Sequence, residues 1–218
     1  MKKLWQKSPA PNGVARSTRL HSLIEQYTVG ESYRFDQVLL PYDLRASKAH
    51  ARGLQKIGVL TLAELRKLLT ALDHLQKKYD GGQVTDRVED EDCHTVIENF
   101  LVRELGDIGK KIHTGRSRND QVLVAVRLYL LDQLKALKTF VAGLAKDFLS
   151  YAEQYQDLPM PGYSHTQEAM LSSVGHWSAS FVEALLDDAK VIDMVLGHVS
   201  KNPLGSAAGF GVSFPLDR

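Results

Sequence analysis

The sequence has 218 residues, 44% of them hydrophobic and 24% charged, which is the mixture of a soluble globular protein with one large domain or two smaller ones. Its 27 Lys+Arg against 26 Asp+Glu leave a net charge of +1, so global charge argues for neither a nucleic-acid nor a membrane partner. One cysteine, Cys93, excludes an internal disulfide and a multi-cysteine metal site, and the expected setting is a reducing cytoplasm.

Residues 1 to about 30 are polar and punctuated by Pro and Gly, and read as an arm. They are basic without a continuous apolar centre, unlike a secretory signal, and no stretch reaches the ~18 apolar residues that would span a bilayer. "YDLRASKAHARGLQKIGVL" reads as a helix ending near Gly58. Thr61 and Glu64 form a capping-box pattern ahead of Leu62, Leu65, Leu68, Leu69, Leu72 and Leu75 at helical spacing. "YDGGQVTDRVED" is a loop, and a further helix runs from about Asp92 to Leu105 behind the acidic "EDED". From Gln121 to about Tyr155 there is no Pro and a single Gly, with apolar residues on nearly every face. A helix of about 35 residues would be about 50 Å long, and one apolar on so many sides needs helices around it. One chain of this length supplies too few, so subunits are expected to share a bundle. "DLPMPG" ends that helix, Gln167 to about Ser200 reads as the next, and "KNPLGSAAGFGVSFPLDR" is a Gly-rich close. No strand alternation stands out. The expected class is all-α, with a helical domain over 1–112, including the arm, and the first part of a long-helix bundle over 113–218. Two long helices make only half a bundle, so the sequence reads as the N-terminal portion of something longer.

Polar groups gather in three islands at helix boundaries: "EDEDCHTVIEN" with His94 and Thr95, "TGRSRNDQ" over Thr114–Gln121, and "PGYSHTQE" with Ser164, His165 and Gln167. Arg116 and Arg118 can hold carboxylates through paired hydrogen bonds, and Asn119 can orient a carboxyl oxygen. The histidines can exchange protons near neutral pH. Together these groups suit a small polyanionic carboxylate and proton-transfer chemistry. Each island also has a plain alternative. Ser, Asn and Asp ahead of an apolar run are ordinary helix caps, His94 fits a satisfied core histidine, and Cys93 fits a small buried hydrophobe. The remaining histidines show no metal-ligand spacing, and "GSAAGFG" lacks the preceding strand of a dinucleotide-binding turn. No metal and no nucleotide cofactor are expected.

"EDEDCHTVIENFLVRELGDIGKKIHTGRSRND", "PGYSHTQ", "NPLGSAAGFG" and "YDLRASKAHARGL" closely resemble the argininosuccinate lyase family, within the fumarase/aspartase superfamily. The resemblance runs from about Leu4 to Arg218, and Gly-Arg-Ser-Arg-Asn-Asp-Gln is its most specific part. It implies an all-α fold and reversible, cofactor-free cleavage of argininosuccinate to arginine and fumarate in arginine biosynthesis. It also implies a cytoplasmic homotetramer with sites assembled from several chains. By position, His165 resembles the family's acid/base histidine and His94 a second active-site histidine. Asn119, Ser164, Arg118, Thr114, Arg116, Ser32 and Gln167 are then expected at the substrate or its supporting loops. Ser164 stands where the family usually has threonine, and Thr166 where it has leucine. The family's flexible Gly-Ser-Ser loop has no counterpart before Arg218, so the 218 residues alone are expected to be inactive and to work within a longer polypeptide. Two other readings stand beside this one: another fumarate-releasing lyase of the superfamily, and a catalytically silent structural relative.

Overall fold

The computed structural model describes residues 27, 30, 32–84, 92–207, 209 and 211–216. Its elements, in chain order, are α1 (Ser32–Lys56), α2 (Leu62–Asp80), α3 (Cys93–Leu105), the single turn α4 (Asp107–Lys110) and a 3-10 turn (Lys111–His113). After these come α5 (Arg118–Gln154), the strands β1 (Pro159–Ser164) and β2 (Gln167–Ser173), and α6 (Val174–Val199). The chain divides into two units: residues up to Val126 together with Asn202–Arg218, and Arg127–Lys201. Helix α5 therefore gives residues 118–126 to the first unit and the remainder to the second.

The first unit is built on leucine stripes. Leu40, Leu44, Ala51 and Leu54 of α1 meet Leu65, Leu68, Leu72 and Leu75 of α2 and Ile97, Phe100 and Leu101 of α3 in one core, closed by Ile112. Each helix buries the apolar face that its period dictates. Helix α2 starts where Thr61 and Glu64 predict: Thr61 Oγ1 accepts the Glu64 N–H and Glu64 Oε2 accepts the Thr61 N–H, so two N-terminal donors are satisfied reciprocally. Helix α3 starts at Asp92, whose Oδ1 accepts from the Thr95 N–H at 2.8 Å. Helix α1 is longer than its sequence suggests. It begins at Ser32 and carries Pro41 in its interior. The missing proline N–H removes one ladder bond, and the buried stripe on both sides of it, from Leu40 to Leu44, keeps the helix continuous.

In the second unit the structure corrects the sequence reading. The residues from Gln167 to Ser173 are a strand paired antiparallel with Pro159–Ser164, and the helix starts only at Val174. Glu, Ala, Met and Leu in "QEAMLSS" have good helical propensity, but pairing with the proline-stiffened strand decides the conformation. Ser164 pairs with Gln167, so His165 and Thr166 form a two-residue turn, with φ of 51° and 65°. Positive φ at both central residues is the hairpin turn whose twist matches its strands. The pairing is close at Gly162, where a Cβ would lie 2.7 Å from the Met170 carbonyl oxygen. Ser173 caps α6, accepting from the His176 N–H. The long helices of this unit leave Phe140, Leu144, Leu149, Leu186, Val191 and Met194 exposed. Among the described residues no helix is long and apolar enough to cross a membrane.

Candidate functional site

The segment Thr114–Gln121 joins the 3-10 turn to α5, and its polar residues divide by direction. Gly115 provides the bend with φ +67°, and a Cβ there would press on the Leu216 side chain at 3.1 Å. The Thr114 carbonyl accepts a hydrogen bond from His50 Nε2–H of α1 at 3.0 Å. Ser117 Oγ accepts from the Asn119 N–H, and Asp120 Oδ1 accepts from the Ser117 N–H. The second Asp120 oxygen accepts from the Ala207 N–H at 3.0 Å, so this buried carboxylate clasps the segment to the loop that follows Asn202. Among the described residues Asn119 is exposed and its side-chain amide makes no hydrogen bond.

Beneath the segment lies a buried polar cluster. Asp43, on the inner face of α1, is fully buried. Its Oδ2 accepts from His94 Nδ1–H at 2.6 Å and Gln121 Nε2 at 3.0 Å, and its Oδ1 accepts from Arg116 Nη2 at 3.3 Å and Ser47 Oγ at 3.4 Å. Arg116 Nη1 also donates to Ser47 Oγ at 3.1 Å. Burial alone would raise the Asp43 carboxyl; the hydrogen bond and charge of His94, with the charge of Arg116, outweigh it and hold the group below the ordinary carboxylate value. For His94 burial works downwards, and the hydrogen bond and charge of Asp43 outweigh it, leaving the imidazole above its ordinary value. His50 is the opposite case: burial first, then the nearby Arg116 charge, push it down to about 4.

The two arginines of the segment do different work. Arg116 is buried against Asp43. Arg118 is half-exposed and ties the start of α5 to the start of α3, donating through Nη1 to Asp92 Oδ2 at 2.5 Å and through Nη2 to Thr95 Oγ1 at 2.8 Å. Asp92 therefore caps α3 with one oxygen and holds Arg118 with the other. A cleft of about 910 Å³ is lined by Ser117, Asn119, Asp120 and Leu123 together with described residues of the loop after Asn202, among them Pro203 and Phe214.

Of the residues expected from the sequence, the first unit brings together His94, Thr114, Arg116, Arg118 and Asn119. Ser164, His165 and Gln167 gather at the exposed tip of the hairpin in the second unit. Ser32 opens α1. Sequence reasoning missed Asp43, Ser47 and His50. Their signal was present: three polar side chains on the same stripe of α1 as Leu40, Leu44, Ala51 and Leu54. Asp43, Cys93 and His94 also place ligand-type atoms within 4.8 Å of one another. The Asp43 oxygens are already committed to four donors, and a guanidinium stands beside them. Burial pushes the Cys93 thiol up, away from the thiolate a metal needs. The cluster is an internal ion pair in character.

The sequence model of a family described as lyase matches residues 20–218. The argininosuccinate lyase of Sorangium cellulosum is 47% identical over 216 residues, 99% of this chain and 48% of that protein. The one of Thermotoga neapolitana is 40% identical, over 99% of this chain and 52% of that protein. The chain spans about half the length of the curated relatives it matches. Among solved structures, EDDS lyase in complex with formate superposes with a TM-score of 0.73 at 26% identity, over 91% of this chain and 39% of that one. A fumarate lyase:delta crystallin from Brucella melitensis shares the fold, with a TM-score of 0.69 at 18% identity, over 84% of this chain and 46% of that one.

Proposed function

Because the chain belongs to the lyase family, we propose that it forms the substrate-loop half of an argininosuccinate lyase, cleaving argininosuccinate reversibly to arginine and fumarate as part of a longer polypeptide. The observation that carries the reading is the Thr114–Gln121 segment. Ser117 and Asp120, which line the cleft with Asn119, are engaged in bracing the loop, and the exposed Asn119 amide faces the cleft unbonded among the described residues. The relatives named for this reaction match the chain across that segment.

The chemistry asks for such a loop. Elimination removes a weakly acidic proton β to the breaking C–N bond, and negative charge spreads into the neighbouring carboxylate. Donors fixed in advance around that carboxylate bind the charge-bearing state more tightly than the ground state. The Asn119 amide is such a donor. Arg118 supports it from behind by pinning the helix start to Asp92 and Thr95. Ser164 and His165 on the hairpin tip are exposed and carry a hydroxyl and an imidazole suited to binding and to proton transfer. His94 is the second candidate for proton exchange. Thr114, Arg116 and Gln167 hold loops in this reading; the expectation for Ser32 falls on a side chain outside those described. Completion of each site by neighbouring subunits of a homotetramer belongs to the same proposal, as does a cytoplasmic setting.

The test is fumarate and arginine release from argininosuccinate by the complete polypeptide, with adenylosuccinate, aspartate and malate as competing substrates. Release from argininosuccinate alone is expected. Release from another of these would keep the elimination and overturn the substrate, and no release from any of them by an assembled protein would leave a silent relative.

A further inference from the structure

The lyase reading leaves unexplained why a fully buried carboxylate should sit between a histidine and the inner arginine of the substrate segment. We propose that Asp43 is a positioning residue for the reaction: its carboxylate fixes His94 with the proton on Nδ1, so that Nε2 is the exchanging nitrogen, and locks that histidine to the Arg116–Gln121 part of the loop. The inference rests on the lyase reading for the reaction it serves, and on its own geometry for everything else.

That geometry is specific. An ionised carboxylate accepts only, so the 2.6 Å contact requires hydrogen on His94 Nδ1. Titration of the ring is then confined to Nε2. Three chain segments converge on one carboxylate: α1 carries it, α3 brings His94, and the loop with the first turn of α5 brings Arg116 and Gln121. Two further polar atoms of the cluster, Arg116 Nε and Gln121 Oε1, are buried without a partner among the described residues. An arrangement kept for stability alone would be better made of apolar side chains of similar size. Unmet polar atoms around a buried ion pair fit a cluster that sets orientation. The charged and titratable groups that face His94 are Asp36 and Asp43 on α1, Asp92 and Cys93 at the start of its own helix, and Arg116 from the loop. Asp92 is held by Arg118. Asp43 is the one among them in direct contact with the His94 ring as a hydrogen-bonded anion.

The experiment uses the complete polypeptide, wild type and Asp43→Asn, with Ser47→Ala as a control that removes one partner of Arg116 and one donor to Asp43 Oδ1 while leaving the Asp43–His94 hydrogen bond in place. Fumarate release is followed across pH, and the His94 ring nitrogens are read by 15N NMR, assigned by their loss in His94→Asn. The wild-type ring should keep Nδ1 protonated throughout and titrate at Nε2. Asp43→Asn should move that titration down by about one unit or more, shift the pH profile in the same direction and lower turnover roughly tenfold. Ser47→Ala should leave the profile in place. A wild-type ring protonated on Nε2 alone would overturn the proposal even if Asp43→Asn failed to fold. An active wild type whose pH profile and His94 titration ignore Asp43→Asn would overturn it while sparing the lyase reading. A wild type with no fumarate release would sink the lyase reading, and this role with it.

Discussion

His50 should make the first unit sensitive to acid. The ring is 8% exposed, donates from Nε2 to the Thr114 carbonyl and sits near the Arg116 guanidinium. Burial first and Arg116 second lower it from 6.5 to about 4. The folded state therefore refuses a proton that the unfolded chain accepts anywhere between these two values. Stability from the neutral ring is fully present above the unfolded value and is lost as pH falls towards the folded one. At about 1.4 kcal/mol per unit the whole separation is worth about 3 kcal/mol, and about 2 kcal/mol of it disappears between about pH 7 and pH 5. His50→Gln isolates the effect, because the Gln amide can still donate to Thr114 and does not titrate. Urea unfolding at a series of pH values, together with amide exchange in α1, should show the wild type losing about 2 kcal/mol more than His50→Gln over that interval. The same loss in both proteins would refute the reasoning, since the titrating group would then be another.

Three more outcomes follow from the same contacts. Asn119→Ala should leave helical content by circular dichroism and urea stability within about 0.5 kcal/mol of wild type, because no contact of its amide is lost, while substrate binding by the complete polypeptide weakens roughly tenfold. Unfolding instead would show that the residue is a cap. Asp120→Ala strips the acceptor from the Ser117 and Ala207 N–H groups and should cost about 2 kcal/mol, with faster amide exchange at Ala207. Unchanged exchange there would remove the clasp. Thr166→Gly relieves a β-branched residue at φ 65° worth about 1–2 kcal/mol, partly offset by the flexibility of glycine in the unfolded chain, and should slow amide exchange at the end of β2. Faster exchange would mean that the Thr166 side chain holds the turn.

The sequence showed most clearly what depends on neighbours along the chain. The Thr61–Glu64 box and the leucine stripe of α2 are local, and both appear in place. The Pro-Met-Pro-Gly break after α5 was equally visible. Its consequence was not, because "QEAMLSS" becomes a strand only by pairing with a segment whose own extension comes from two prolines. Pairing of that kind is tertiary and outweighs propensity. The start of α1 was lost for a related reason: Pro41 is a sound stop signal in isolation, and burial on both sides of it overrules the signal. At the site, residue types pointed to carboxylate chemistry without telling Arg116 from Arg118. Position in the string cannot separate them. What does is the buried Asp43, seventy-three residues earlier.

On the proposed reading Thr114–Gln121 is a capped helix start and a polar binding loop at once. Capping and bracing use nearly all of its polar groups: Ser117 and Asp120 satisfy N–H groups at the head of α5 and beyond, Arg116 and Gln121 reach down to Asp43, and Arg118 reaches across to α3. A loop held at so many points loses little freedom when it binds, so an amide presented from it costs less to order than one on a free loop. Bracing of this extent is what a preorganised donor requires. An ordinary cap needs one hydroxyl or carboxylate, whereas this helix start is tied to α1, to α3 and to the loop after Asn202, with Asn119 at the centre of those ties and exposed to the cleft. The density of the structural contacts is thus itself the argument for Asn119, exposed at the cleft with its side-chain amide unbonded among the described residues.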